Sequence, residues 1–209
     1  MRPVMRTSLV AALLGAALAS GCGSRVAPVT LTEDWPATIA DYDDVTSQWT
    51  RSARMRGEYQ EALEVVVTFK SSEWRAAHAE KDANSRGLEG NARSQQVSQA
   101  RADAAGPYEF EVMLTTWDRR ENDLDRGVKS TWKVRMMDAQ GVEIEPLEVV
   151  KDKRPAFVVR SEFPALGDFA TAYIVRFPRT KPLLGPGVKE MRMHLSSERG
   201  GADLRWISR

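Results

Sequence analysis

The chain has 209 residues, of which 42% are hydrophobic and 28% charged, and its 30 basic residues nearly balance its 29 acidic ones. This composition is typical of a globular protein with a substantial core. The even charge balance argues against nucleic-acid binding, which requires a basic surface. Because Cys22 is the only cysteine, no disulfide can form within the chain.

The chain begins with the organisation of an export signal. Arg2 and Arg6 form a basic start without acidic residues, and the run 9–19 contains only Leu, Val, Ala and Gly. A membrane-spanning helix needs about 20 apolar residues, so this run is too short to remain as one. We therefore predict a signal peptide over residues 1–21.

The small residues Ala19, Ser20 and Gly21 lead directly to Cys22. The sequence "LASGC" resembles the lipobox of bacterial lipoproteins, with Ala19 at a position where leucine is commoner. The resemblance covers the leader alone. It implies that the sulfur of Cys22 is diacylated with fatty acids such as palmitate, and that Cys22 becomes an N-acylated mature N-terminus. An ordinary secretory signal with an incidental cysteine is the alternative.

The same resemblance implies a location. Two or three acyl chains hold a protein stably in a membrane, since each buried methylene contributes about 0.8 kcal/mol. Gly23 follows the cysteine, and it is not the aspartate that retains such lipoproteins at the inner membrane. We therefore expect a protein of the bacterial cell envelope that is anchored to the outer membrane and faces the periplasm or the cell surface. Residues 22–30 would be the lipidated cysteine and a tether, and residues 31–209 a single domain.

The domain begins with a stretch of helical periodicity. Apolar side chains recur every three or four residues at Ile39, Tyr42, Val45 and Trp49, and Pro36 suits a first helical turn. The pattern predicts a helix of about 12 residues. Three acids near its start complement the helix dipole, whereas the alternative, a calcium-binding loop, lacks this periodicity. These acids are Asp41, Asp43 and Asp44.

A strand and a helical insertion follow. Apolar residues at alternate positions from Leu63 to Phe69 predict a strand with one buried face. Residues 72–104 are rich in Ala, Gln, Arg and Glu, which predicts a helical excursion that Gly87 and Gly90 interrupt. Because this segment has few large aliphatic side chains, we expect a partly mobile insertion outside the core.

From Pro107 onward the pattern is almost wholly β. Short segments either alternate apolar and charged residues or carry β-branched runs, and no helical pattern separates them. We predict a mainly β fold class: an antiparallel β-sandwich of immunoglobulin-like architecture with an N-terminal helix and a helical insertion. Its seven or eight late strands would lie within residues 108–117, 130–138, 142–150, 155–163, 170–178, 189–197 and 202–208.

The sequence contains no recognisable constellation for catalysis, cofactor binding or metal binding. His78 and His194 have no His or Cys neighbour at helix or strand spacing, so we place both at the surface. Nucleophile-elbow and phosphate-binding glycine motifs are absent, and Cys22 is assigned to lipid. We therefore predict a protein that is not an enzyme and that has no catalytic, cofactor or metal residues.

The six tryptophans fall into two groups. Three lie in phase with core positions and are predicted to be buried, namely Trp49, Trp132 and Trp206. The other three lie near the ends of elements and are expected to be partly exposed, namely Trp35, Trp74 and Trp117. Exposed rings of this kind could form a sugar-stacking face, or they could act as hydrophobic staples at helix starts.

Two functional hypotheses follow. The first is a non-enzymatic binding or scaffolding lipoprotein, whose sandwich or insertion engages an envelope protein or a glycan. The alternative is a carbohydrate-active or hydrolytic lipoprotein that uses carboxylates of the loop 118–126. That alternative requires at least two of them to converge in a pocket beside an exposed tryptophan. The candidates are Asp118, Glu121, Asp123 and Asp125.

Overall fold

The computed structural model describes residues 27–56, 61–138 and 140–209, so the predicted signal peptide and Cys22 lie outside the described residues. The helices are α1 (Tyr42–Trp49), α2 (Ser72–Ser85), α3 (Gly90–Ala105) and α4 (Ala156–Glu162). The strands are β1 (Thr50–Arg56), β2 (Glu61–Phe69), β3 (Tyr108–Thr116), β4 (Lys133–Met137), β5 (Glu143–Ile144), β6 (Glu148–Lys151), β7 (Thr171–Phe177), β8 (Glu190–Ser197) and β9 (Gly200–Ile207). Two 3-10 segments, Arg119–Glu121 and Leu124–Lys129, connect β3 to β4.

The strands form two antiparallel sheets. One sheet has the order β1-β2-β3-β7-β6, and the other has the order β5-β4-β8-β9. The prediction of a mainly β, antiparallel fold with an N-terminal helix and a helical insertion is confirmed.

Apolar side chains at alternate strand positions form a shared core. Leu63, Val65 and Val67 are buried on one face of β2, as the alternation predicted. Phe110 of β3 contacts Trp206 of β9, with 5.8 Å between ring centroids, so side chains of both sheets meet. Burial of each such side chain contributes roughly 1.5–3 kcal/mol to the free energy of unfolding.

β1, which the sequence analysis did not predict, lies beside β9 at the edges of the two sheets. Its Arg51 is 7% exposed and donates hydrogen bonds to four carbonyl oxygens at 2.7–2.8 Å. Burial lowers the pKa of Arg51 to about 10, which leaves the guanidinium charged at neutral pH. The accepting carbonyls belong to Ala27, Gln48, Thr50 and Arg205, so this side chain ties the start of the domain to β9.

Helix α1 is shorter than predicted. It begins at Tyr42 because the Asp41 side chain caps it, accepting hydrogen bonds from the N–H groups of Asp43 and Asp44. Pro36 therefore precedes the helix, and Ile39 is 39% exposed instead of joining the buried stripe. The dipole interpretation of the aspartates is confirmed, since they occupy the cap and the first turn.

The predicted insertion is a pair of helices that differ in burial. Gly87 and Gly90 both have positive φ, and they separate α2 from α3 as predicted. The expectation that the whole insertion lies outside the core is wrong for α2, which buries Trp74 together with several alanines. α3 buries no residue and contacts α2 through polar pairs such as Gln96 with Asp82.

The segment 155–163 was predicted as a strand and is instead helix α4. A short apolar run does not by itself distinguish a strand from a helix. Pro155 stands immediately before the first turn, and Val159 and Phe163, four positions apart, are both buried on one side. Phe163 stacks on Trp74 of α2, with 5.5 Å between ring centroids, and this long-range contact favours the helix.

The sheets give the domain two ends. At the N-terminal end, Ala27 accepts from Arg51 near the start of β1, and the Tyr108 hydroxyl at the start of β3 donates to Glu33. At the loop end, Trp117 follows β3 and Phe169 precedes β7. Because a strand rises about 3.4 Å per residue, the nine residues of β3 separate the two ends by roughly 30 Å.

Candidate functional site

A pocket of about 360 Å³ lies at the loop end of the five-stranded sheet. The register of β2 against β3 builds its floor, because Leu63 pairs with Thr116 and Glu64 pairs with Thr115. We call this pocket the loop-end pocket, and its walls include Leu63, Glu64, Thr115, Trp117, Arg119 and Phe169.

Two large aromatic rings stand exposed beside this pocket. Trp117 is 67% exposed and Phe169 is 71% exposed. Strand alternation explains the position of Trp117: Thr116 is buried, so the next side chain points to the outer face. The Trp117 N–H still reaches the carbonyl of Ala62 at 3.4 Å, so the backbone continues the β2–β3 pairing while the ring faces outward.

Arg119 brings a positive charge to the loop-end pocket. Its guanidinium carbon lies 5.5 Å from the centroid of the Phe169 ring. Within the described residues, Arg119 has no carboxylate partner. Its neighbour Arg120 differs, because it pairs with Asp118 at 2.7 Å. The pocket therefore combines two exposed rings with a guanidinium that is free to bind an anion.

The four carboxylates predicted for a hydrolase do not line this pocket. Asp123 is 5% exposed and accepts hydrogen bonds from the Ser130 hydroxyl and the Thr131 N–H. The others pair with separate cations: Asp118 with Arg120, Glu121 with Arg199 and Asp125 with Lys151. The structure thus places the exposed Trp117 next to the loop but directs each carboxylate to its own partner.

A second group of charges lies on the outer face of the five-stranded sheet, beneath α2 and α4. We call it the charged layer, and it consists of Lys70, Glu109, Glu111, Arg154 and Glu162. Lys70 Nζ lies 2.9 Å from Glu109 and 3.1 Å from Glu111. Arg154 pairs with Glu162 at 2.7 Å. Helix α2 packs over this face, because Lys70 Nζ lies 6.0 Å from the centroid of the buried Trp74 ring.

The pKa values of the two glutamates of β3 are shifted in opposite directions. Glu111 is fully buried, and neither carboxylate oxygen makes a hydrogen bond of acceptable geometry with the described residues, although Lys70 is close. Burial raises the pKa of Glu111 to about 7 despite the charge of Lys70. Glu109 is also desolvated, but Lys70, Arg75 and Arg176 lower its pKa to about 2.

The prediction that both histidines lie at the surface describes His194 better than His78. His78 is half-buried on α2, where its ring stacks on Trp74 with 4.8 Å between centroids and lies 3.7 Å from Glu162. His194 lies on the polar face of β8, 2.7 Å from Asp203, as expected. Among the residues that the structure describes, no group of three or more His, Cys, Asp or Glu side chains could hold a metal ion.

Five of the six tryptophan predictions agree with the structure. Trp49, Trp132 and Trp206 are buried, Trp117 is exposed and Trp35 is half-buried beneath Arg101. Trp74 was expected to be partly exposed and is only 3% exposed. Its indole N–H donates to the Thr46 hydroxyl at 3.0 Å, so α1 and α2 enclose a ring that sequence position alone placed at a helix start.

In two other pockets, several polar groups are already engaged within the protein. A groove of about 730 Å³ over β1 and β2 is lined by Thr50 and Thr68, among others. The Thr50 hydroxyl donates to the carbonyl of Thr46 at 2.7 Å and therefore accepts from Thr68, also at 2.7 Å. A smaller cavity of about 230 Å³ borders the charged layer. The cations of that layer, Lys70 and Arg154, are already paired with glutamates.

No protein-family model, curated protein or solved structure shows significant similarity to this chain. In residues 27–56, 61–138 and 140–209, none of the helices combines the length and the apolar character that crossing a bilayer requires. The site must therefore be interpreted from its own geometry.

Proposed function

We propose that the protein is a lipid-anchored lipoprotein of the bacterial envelope, and that its domain is a non-catalytic binding module for an envelope partner. The sequence "LASGC" supports acylation of Cys22, and Gly23 favours the outer membrane. The partner is a protein or a glycan, and it engages the domain at the loop end.

The observation that carries this proposal is the position of the loop-end pocket opposite the N-terminal end. Ala27 follows Cys22 by five positions, and a chain of that length reaches at most about 18 Å. An anchor at Cys22 would hold the N-terminal end close to the membrane. The loop end would then stand roughly 30 Å farther out, where Trp117 and Arg119 can meet a partner.

We also infer that the two sheets pack face to face as a β-sandwich of immunoglobulin-like architecture. The contact of Phe110 with Trp206 and the single core cluster support this arrangement. In a sandwich the loops gather at the two ends, where binding residues are commonly found. The loop-end pocket occupies such a place.

A binding role fits the loop end better than a catalytic one. Its exposed tryptophan, phenylalanine and arginine belong to residue types that dominate recognition surfaces. The nearby carboxylates are engaged with separate partners, so the loop-end pocket contains no pair of them for acid–base chemistry.

Replacement of the cysteine tests the anchor directly. We expect Cys22→Ser to abolish labelling by a palmitate analogue and to release the protein from isolated membranes, because the acyl chains supply the attachment. The matched control Ser24→Ala should remain labelled and membrane-bound. A Cys22→Ser protein that stays in the membrane fraction would contradict the proposal.

A further inference from the structure

We propose that the loop-end pocket binds a sugar that carries an anionic group, either a carboxylate or a phosphate. This proposal deepens the proposed function, because it assigns a ligand class to the same pocket. It rests on three features: two exposed aromatic faces, an unpaired guanidinium and polar groups on the pocket floor.

The aromatic rings supply the stacking surface. Trp117 and Phe169 are both mostly exposed, and both line a pocket of about 360 Å³. A volume near the lower end of the range for small-molecule sites suits a ligand of one or two rings. The C–H face of a sugar ring covers such an aromatic face, while the hydroxyl groups at its edge remain free for hydrogen bonds.

Arg119 supplies the charge selectivity. Its guanidinium lies over the Phe169 ring, and within the described chain no carboxylate neutralises it. A planar guanidinium binds a carboxylate or phosphate with two parallel hydrogen bonds, which are stronger than those to a neutral hydroxyl. A sugar stacked on the rings would place an acidic substituent within reach of this group.

The floor of the pocket supplies hydrogen bonds for sugar hydroxyls. The Thr115 hydroxyl has no hydrogen-bond partner in the described part of the chain, so it can both donate and accept. Glu64 pairs with Arg54 at 2.6 Å through one oxygen, and a carboxylate retains further acceptor sites.

The strand order favours a sugar over an acidic peptide. Extended peptides commonly bind by adding a strand to an open sheet edge. Here β2 and β3 are interior strands, and Leu63–Thr116 and Glu64–Thr115 pair with each other across the floor of the pocket. The pocket offers side chains instead of an edge, which suits a compact ring.

Calorimetric titration of the full-length lipidated protein in detergent micelles tests the proposal. The probes are tetragalacturonate for the carboxylate, glucose 6-phosphate for the phosphate, and chitotetraose as the neutral comparison. We expect at least one acidic probe to bind roughly tenfold more tightly than chitotetraose, because a hydrogen bond between two charged groups is stronger than one to a neutral hydroxyl. The affinity should fall as salt is added.

Variants with matched controls locate the binding. Trp117→Ala and Arg119→Ala should each lower the affinity for the acidic probe by roughly tenfold or more. The controls are Phe157→Ala, which removes another exposed ring outside the pocket, and Arg120→Ala, which removes the neighbouring arginine paired with Asp118. Both controls should bind the probe as the parent protein does.

Four outcomes would overturn the proposal: no binding of either acidic probe at millimolar concentration, equal binding of chitotetraose, binding that survives both Trp117→Ala and Arg119→Ala, or displacement of the probe by tetraglutamate. The last would assign the pocket to an acidic peptide. None of these results affects the membrane fractionation of Cys22→Ser, so failure of the ligand assignment can be distinguished from failure of the anchor.

Discussion

The charged layer and the loop-end pocket are both built on strands of the five-stranded sheet, but their charged side chains differ in burial and in pairing. In the charged layer, Lys70 lies between Glu109 and Glu111, and helices cover all three. At the loop end, Arg119 has no acid partner in the described residues and no helix covers Trp117. One region pairs its buried ions with one another, whereas the other leaves a cation and two rings available.

This difference separates a structural role from a binding role. Buried ions that pair with one another hold the helices on the sheet, and removal of one partner leaves an uncompensated charge. Two exposed aromatic rings and a free guanidinium contribute little to folding, and their grouping at one pocket fits a binding surface. Substitutions in the charged layer should therefore change stability, and substitutions at the loop end should change binding.

Among substitutions in the charged layer and at the loop end, the largest effect on stability is expected from Lys70→Ala. Lys70 has an 8% exposed side chain, and its removal leaves Glu109 and Glu111 without their shared cation. We expect the free energy of unfolding to fall by about 3 kcal/mol in urea denaturation. The control Lys189→Ala removes an exposed lysine and should cost less than about 0.5 kcal/mol. A loss below about 1 kcal/mol for Lys70→Ala would show that the charged layer is not structural.

The next largest effect is expected from Glu111→Gln, which should change how the free energy of unfolding depends on pH. The pKa of Glu111 is about 7 in the folded protein, compared with 4.5 as its ordinary value, so the folded state binds this proton more tightly than the unfolded state. The contribution of Glu111 to stability is therefore complete below pH 4.5 and lost as the pH rises from 4.5 to about 7. As the pH rises from about 5 to about 8, the free energy of unfolding of Glu111→Gln should therefore increase relative to that of the parent protein, by up to about 3 kcal/mol.

Glu109 provides the internal comparison for that experiment. Its pKa is lowered to about 2, so its contribution to stability is present above pH 4.5 and lost as the pH falls from 4.5 to 2. It therefore changes little in the window where Glu111 titrates. Parallel pH profiles for the parent protein and Glu111→Gln, measured as the free energy of unfolding, would contradict the role assigned to Glu111.

The smallest effect on stability is expected at the loop end. Trp117→Ala and Phe169→Ala should each change the free energy of unfolding by less than about 0.5 kcal/mol, because both rings are mostly exposed. Trp74→Ala is the comparison, since it removes a buried ring that packs on Phe163 and should cost about 3 kcal/mol or more. Thermal unfolding of all three variants checks this contrast.

Strand alternation explains which parts of the fold could be predicted from the sequence. The buried positions of β2, the late strands and the burial of Trp206 follow from local patterns, because one face of each strand meets the core. The segments that became β1 and α4 lack such a pattern. Arg51 is buried through bonds to distant carbonyls, and Phe163 is buried by Trp74, and neither contact has a local signal.

The candidate site was predictable only in part. The sequence indicated Trp117 as an exposed ring and a polar loop after it, and the structure places both at the loop end. Arg119 and Phe169 were not singled out, because they lie about fifty residues apart and meet only through the antiparallel pairing of β3 with β7. The burial of the acids on the outer face of β3 has no local signal, because it depends on the distant helix that carries Trp74.

The orientation of the domain on the membrane tests the account most directly. Because Cys22 would be acylated, an added cysteine provides a unique label. Val128→Cys places the label at the loop end, at a 93% exposed position, and Lys189→Cys places it at the N-terminal end. In vesicles containing quencher lipids, the account predicts strong quenching at Lys189→Cys and little at Val128→Cys, roughly 30 Å farther away. Equal quenching, or stronger quenching at Val128→Cys, would contradict it.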